Sequence, residues 1–331
     1  MTTPPSFTSL RVLQIGPLPH ASINAELRAR FDISLLSEQP DSAGFLKEHG
    51  AQFRYVVTSA NMGLSADIVH ALPNLRFVSS FGVGFDRLDE ASLSARRVRV
   101  GYTPGVLDDC VADMAFGLLM DVARRLSAGD RFVRAGSWDR GERFGISTRV
   151  SGKRLGILGM GRIGAQVARR AQGFDMEIAY HNRREVAGSP HRYMPTLSEL
   201  AAWCDFLVIT AAGGNDTRHL VDAGILQALG PGGFLVNVAR GSVVDEQALL
   251  LALRSGAIAG AGLDVFEDEP HPLPGLLEQD NVVLSPHTAS GTEETRQAMA
   301  DLVLANLLAC IDSGKPLAEV PWSSAASGSA H

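Results

Sequence analysis

Apolar residues along this chain fall into two series of short, β-rich runs, each interleaved with stretches of helical spacing. In the first series "LRVLQIG", "FDISLL", "YVVTSA", "LRFVSSFG" and "VRVGYTP" predict strands, and amphipathic segments such as "SADIVHALP" lie between several of them. This alternation indicates parallel strands joined by helical crossovers. Residues up to about Tyr102 are therefore expected to form one small α/β unit. The next stretch, "PGVLDDCVADMAFGLLMDVARRL", has apolar positions at helical spacing, with Asp108 or Asp109 able to cap its start. Its apolar arc is too wide for a surface helix, which predicts burial between domains or between subunits.

A second series begins at Lys153, with strands expected at "RLGILG", "MEIAYHN", "FLVITA", "FLVNVAR", "GAGLDV" and "VVLSP". These runs are almost continuously apolar, as required where helices cover both faces of a parallel sheet. A last long helix is predicted from about Thr292 to Asp312. Little chain follows it, so the economical arrangement folds it back onto the first unit. One domain, 1–102 with 289–331, is then discontinuous, and a second, 103–288, is inserted into it. No array-type repeat is present, and "SSAASGSAH" at the end reads as a disordered tail.

The 331 residues supply enough material for two domains with real cores, and 45% hydrophobic with 20% charged residues is a soluble globular composition. A formal net charge of −6 provides no basic field for nucleic acid or an anionic membrane. Cys110, Cys204 and Cys310 match no zinc or redox spacing and read as small buried apolar residues. The start, "MTTPPSFTS", lacks the pattern of a secretory signal, and no apolar run is long enough to span a bilayer. The expectation is a reduced, cytoplasmic protein with neither nucleic acid nor membrane as partner.

Candidate chemistry begins at Gly159-Met160-Gly161-Arg162-Ile163-Gly164, a G-x-G-x-x-G between a strand and the helix "RIGAQVARRAQGF". The first glycine permits a tight turn, the second lets the backbone approach a pyrophosphate, and the third packs helix on strand. Amides at the helix start, Arg162 and Ile163 among them, then face the phosphates, helped by the helix dipole. At the end of the next strand an acidic residue normally binds the ribose 2′-hydroxyl. Asn182 stands there instead, followed by Arg183 and Arg184. A neutral amide does not repel a 2′-phosphate, and two guanidinium groups can pair with it. NADP(H) is the expected cofactor, with NAD(H) possible; the bland reading is a pair of solvated surface arginines.

Three more stretches place charged residues just past apolar strands. "VNVARGSVVDEQAL" carries Arg240, "GAGLDVFEDEP" carries Asp264, Glu267 and Glu269, and "VVLSPHTASGT" carries His287. Strand carboxyl ends share one edge of a parallel sheet, where ligands bind. Arginine, carboxylate and histidine suit reduction of a 2-oxo acid. The carbonyl oxygen needs a proton as it gains charge, a carboxylate favours the imidazolium that donates it, and arginine holds the α-carboxylate. Taken singly, Arg240 could be a surface charge, Glu269 a turn residue and His287 a satisfied histidine. His49 and His70 look like helix-end residues, and His181 and His191 lie near the ribose side. None stands at ligand spacing with a partner, so no metal is expected.

With these residues in place the sequence resembles the D-isomer-specific 2-hydroxyacid dehydrogenase family over nearly its whole length. The resemblance rests on "GILGMGRIG", "NVARGSVVDEQAL", "GAGLDVFEDEP" and "SPHTASG", with "SSFGVGFDRLD" and "TPGVLDDCVADMAFGLL" upstream. "VRAGSW" and "GTEETRQAMADLVLANL" look most like its glyoxylate/hydroxypyruvate and hydroxyphenylpyruvate reductase branch, which generally prefers NADPH. The resemblance implies two doubly wound α/β domains, a flavodoxin-like substrate domain and a Rossmann NAD(P)-binding domain. It also implies an active site in the cleft and a homodimer held by the nucleotide domains.

It assigns Arg240 to the substrate carboxylate and carbonyl, Glu269 to orienting His287, and His287 to proton donation. Glu267 is then a neighbour of the catalytic acid. The resemblance further implies that the amides of Val83 and Gly84 bind substrate carboxylate, that Val238 lines the cofactor, and that Asp264 contacts the nicotinamide amide. Trp138 would reach the partner's active site and limit substrate size. Ala212-Gly213-Gly214 departs from the pattern, since many members have proline in that loop. The leading expectation is NADPH-dependent reduction of glyoxylate and hydroxypyruvate to glycolate or the D-hydroxy acid. Alternatives are a dinucleotide-sensing corepressor on the same fold and a reductase specific for aryl-pyruvates. A formate dehydrogenase is disfavoured by Glu269, and a phosphoglycerate dehydrogenase with a regulatory domain by the short stretch after the last helix.

Overall fold

The computed structural model describes residues 7–325. They divide into two compact units: the residues up to Leu107 together with those from Gly291 onward, and Asp108–Ser290.

In the first unit the apolar runs become five parallel strands: β1 (Phe7–Gln14), β2 (Phe31–Leu35), β3 (Tyr55–Ser59), β4 (Phe77–Phe81) and β5 (Arg99–Gly101). Their order is β2-β1-β3-β4-β5, the flavodoxin-like winding. Every residue of β4 is buried, so its polar side chains need internal partners. Ser79 Oγ donates to Val303 O at 2.9 Å. Val303 belongs to the helix Glu293–Ser313, which lies on β4, is capped by Thr292 and ends at left-handed Gly314. Fully buried Asn306 ties that helix to the end of β5. It donates to Tyr102 O and accepts from Ala318 N, both at 2.9 Å.

Phe7–Ser9 of the polar start already belong to β1, and residues 1–6 lie outside the described residues. The tail expected at "SSAASGSAH" does not hold for Ser323–Ala325, which close the helix Pro321–Ala325 with Ser323 buried; residues 326–331 lie outside the described residues.

The second unit holds seven parallel strands. They are β6 (Arg154–Leu158), β7 (Glu177–His181), β8 (Arg192–Tyr193), β9 (Phe206–Ile209), β10 (Phe234–Asn237), β11 (Gly260–Leu263) and β12 (Val282–Leu284). The order β12-β11-β10-β9-β6-β7-β8 is a Rossmann sheet extended by one strand, with its winding reversed between β6 and β9. The two-residue β8 was not expected, because so short a strand has no periodicity to detect.

The helix Asp108–Arg124 corrects a second expectation. Its buried face does not await another domain or subunit. It packs on β10, β11 and β12 and on the helix Arg162–Gln172, all in the same unit. Glycines in β11 permit the close approach. A Cβ on Gly262 would sit 2.9 Å from Leu118 Cβ, and one on Gly260 would sit 2.8 Å from Val122 Cγ2. Asp108 and Asp109 lie within the first turn, where carboxylates suit the helix dipole, rather than before it.

Candidate active site

The glycine turn joins β6 to the helix Arg162–Gln172 at the point where the winding reverses. Gly159 has φ +103°, and a Cβ there would lie 2.5 Å from Ala211 N, so only glycine fits. Gly164 lets the helix settle on the strand, since its Cβ would come within 2.5 Å of Gly159 O. Gly161 differs: a Cβ there would meet nothing within 4 Å. The position faces open space at an 11-residue helix start with no side-chain cap, as a pyrophosphate-binding turn requires. Arg162 is exposed and Ile163 half-buried in the first turn. The Arg162 charge opposes the burial that raises the Asp108 carboxyl above its ordinary range.

At the end of β7, Asn182 performs a task not anticipated from its neutrality. Its Oδ1 accepts from Met160 N at 2.6 Å and its Nδ2 donates to Met160 O at 3.3 Å, so it braces the glycine turn. Arg183 and Arg184 are exposed beyond it, and Arg183 Nη1 lies 3.7 Å from Asp216 Oδ2. The glycine turn, the uncapped helix and these cations fit a phosphorylated dinucleotide. Val238, expected at the cofactor, is 7% exposed, with its N–H on Ile209 O.

The loops after β10, β11 and β12 bring the other candidates together. At the end of β10, buried Asn237 folds the turn. Its Oδ1 accepts from Ala239 N at 3.0 Å and its Nδ2 donates to Arg240 O at 2.9 Å. Gly241 then presses this turn onto the loop after β11, where its Cβ would fall 1.8 Å from Phe266 C. No other residue can occupy that position. The β11 loop carries Glu269, whose Oε1 accepts from Phe266 N at 3.1 Å and whose Oε2 meets His287 Nδ1 at 2.8 Å. An ionised carboxylate only accepts, so Nδ1 carries the proton and Nε2 is left for exchange with a substrate. His287 is held at φ +52°, a left-handed conformation that costs a non-glycine residue energy.

Asp264 holds that conformation. Asp264 is fully buried, its Oδ1 accepts from Thr288 N at 2.8 Å and its Oδ2 from Ala289 N at 2.9 Å. Its carbonyl takes His287 N at 2.8 Å as well. Its carboxylate clamps the His287 loop.

Glu267 serves the same framework from the other side. Its Oε1 meets His219 Nε2 at 2.5 Å and Arg218 Nη2 at 3.3 Å, while its N–H donates to Glu246 Oε1 at 2.8 Å. Burial, and then the neighbouring Glu267, Glu269 and Asp268 charges, push the Glu246 carboxyl up from its ordinary value of 4.5. Sequence patterns did not single out Gly241, Asn237, Glu246 or His219 for this role. The glycine in "ARGS" and the acid in "VVDEQ" were the only available signals. Trp138 is 70% exposed, and Val83 and Gly84 are half-buried in the loop after β4 of the first unit.

A unit that pairs an uncapped glycine turn with a carboxylate-held histidine, both past carboxyl ends of strands of one parallel sheet, is that of a dinucleotide-dependent dehydrogenase. The chain matches the model for the D-isomer specific 2-hydroxyacid dehydrogenase, NAD binding domain, over residues 116–289, and it belongs to that family. Over 309 residues it is 44% identical to glyoxylate/hydroxypyruvate reductase A of Arabidopsis thaliana, covering 93% of this chain and 98% of the relative. Identity and coverage are the same for hydroxyphenylpyruvate reductase of Plectranthus scutellarioides. A solved structure superposes with a TM-score of 0.89 at 39% identity, covering 95% of this chain and 97% of the other. It is the NADPH-dependent glyoxylate/hydroxypyruvate reductase of Sinorhizobium meliloti in complex with NADP and malonate.

Proposed function

We propose that this dehydrogenase reduces small 2-oxo acids, glyoxylate and hydroxypyruvate first, with NADPH preferred over NADH. The observation that carries the reading is the 2.8 Å Glu269–His287 contact beside the Arg240 turn. The bound cofactor would supply a hydride to the carbonyl carbon. Arg240 pairs with the α-carboxylate and polarises the carbonyl, so that charge developing on oxygen is met by a fixed cation. His287 delivers the proton to that oxygen from Nε2, and Glu269 keeps the ring oriented. The amides of Val83 and Gly84 are assigned to the substrate carboxylate, and Trp138 to limiting substrate size.

The cofactor preference is supported by Asn182, Arg183 and Arg184 and by the NADP named for the Sinorhizobium relative. Steady-state kinetics with NADPH and NADH on glyoxylate, hydroxypyruvate and phenylpyruvate test both parts. A preference for NADH, or no turnover of the two small acids, rejects the reading. Dominant turnover of the aryl substrate would favour the second reading, which the Plectranthus relative's name supports.

A cytoplasmic homodimer completes the proposal. The helix Leu126–Arg134 has no buried residue although it carries Leu126, Phe132 and Val133, and Ile146 nearby is 100% exposed. An apolar arm of this kind suits a second copy of the chain. Light scattering on wild type and Ile146→Lys checks it; a monomeric wild type rejects it.

A further inference from the structure

The departure at Ala212-Gly213-Gly214 meets the site at one place. A Cβ on Gly213 would lie 2.5 Å from Arg240 Cγ, 3.2 Å from its Cβ and 3.6 Å from its Cδ. All three methylenes of the arginine stem therefore cross the space that any other residue would fill. Unlike Gly214 at φ +148°, Gly213 does not adopt the positive-φ backbone that side chains avoid. The requirement for glycine at 213 is thus one of contact with Arg240 and not of chain conformation.

We propose that Gly213 is a positioning residue for substrate capture, selecting the side-chain conformation in which Arg240 presents its guanidinium. This rests on the role of Arg240 in the proposed function. The Arg240 backbone has little room to retreat. Asn237 Nδ2 and Val243 N both donate to its carbonyl, and the adjacent Gly241 is already pressed on Phe266. The 212–217 loop is braced too, with Thr217 Oγ1 donating to Ala212 O at 2.9 Å. A methyl group at 213 is therefore relieved by moving the stem. Because Cγ sits near the root of the side chain, relief there means another χ1 well and a large displacement of the guanidinium. A misplacement of about 1 Å at a reacting group costs on the order of 10²-fold in rate. Gly213 makes room for the arginine that recognises the substrate.

The test is a double-mutant cycle with Gly213→Ala and Arg240→Ala, following kcat and KM for glyoxylate, inhibition by malonate, NADPH binding by fluorescence, and the urea midpoint. Gly213→Ala is expected to raise KM and the malonate inhibition constant roughly tenfold or more. NADPH binding and the urea midpoint should stay near wild type. In the Arg240→Ala background the same change should add little, because Cγ, the atom it strikes at 2.5 Å, is gone and only the 3.2 Å contact with Cβ remains. Should Gly213→Ala alone fold poorly, recovery of the urea midpoint in the double variant supports the same contact. Unchanged substrate and malonate parameters in Gly213→Ala overturn the proposal, as does an equal loss in both backgrounds or a loss confined to NADPH. If Arg240→Ala itself leaves turnover and malonate inhibition intact, the role of Arg240 falls. If Arg240→Ala is impaired and Gly213→Ala is not, only the role of Gly213 falls.

Discussion

Asn182 Oδ1 accepts the amide of Met160 at 2.6 Å, joining the end of β7 to the middle of the glycine turn. One residue thus sets the shape of the phosphate turn and the charge at the ribose end. Asn182→Asp keeps the acceptor for Met160 N while placing a carboxylate where a 2′-phosphate would lie. The ratio of kcat/KM for NADPH over NADH should fall at least roughly tenfold, equivalent to about 1.4 kcal/mol. A ratio unchanged in this variant would show that position 182 does not discriminate.

Arg183 and Arg184 make the complementary prediction. The Arg183–Asp216 pair is almost fully solvated, so it contributes little to folding. Arg183→Ser with Arg184→Ser should leave the urea midpoint unchanged and raise the KM for NADPH by roughly tenfold or more, as expected for lost charge-assisted hydrogen bonds. The KM for NADH should barely move.

Glu269→Gln retains an oxygen for Phe266 N but removes the charge facing His287 Nδ1. Turnover should fall by roughly 10²-fold or more, the scale of general acid–base assistance, with NADPH binding intact. His287→Gln should abolish turnover with the same intact binding. Fluorescence titration with NADPH separates lost chemistry from lost fold.

Asp264 offers a test of the clamp. An asparagine at 264 has one oxygen where two amides now bind, so Thr288 N or Ala289 N loses its acceptor. Hydrogen exchange at these two amides should accelerate in Asp264→Asn, and kcat should drop because His287 is no longer held at φ +52°. Protection equal to wild type would contradict the assignment.

Glu246 sets a pH dependence of stability. Its carboxyl is raised in the folded state, so the folded protein binds its proton more tightly than the unfolded chain does. Its stabilising contribution is complete below the ordinary value of 4.5 and is lost as pH rises through the raised one. Glu246→Gln, which keeps an acceptor for Glu267 N, should have a higher urea midpoint than wild type at neutral pH. The difference should shrink below pH 4.5. A difference that grew on acidification would reverse the sign of the argument.

Much of this molecule was legible as pattern. Every strand except β8 announced itself as a β-rich run, most clearly where burial on both faces of a parallel sheet leaves polar residues few places within a strand. The glycine turn was legible for a related reason, since Gly159 and Gly164 meet separate steric demands and Gly161 leaves open space at the helix start. The helix Leu126–Arg134 left no such signature, as among the described residues its apolar side chains are at most half-buried and no core-facing period is imposed on it.

The sequence by itself determined where the dinucleotide turn lies, every strand but β8, and which arginine, glutamate and histidine follow strand ends. Short-range sterics and side-chain chemistry decide those matters within a few residues. Only the tertiary structure decided that Asp264 clamps the His287 loop, that glycines in β11 seat the helix Asp108–Arg124, and that Gly213 lies against the stem of Arg240. Those facts depend on which surfaces meet across dozens of residues, and close packing, unlike periodicity, leaves no repeat in the chain to be read.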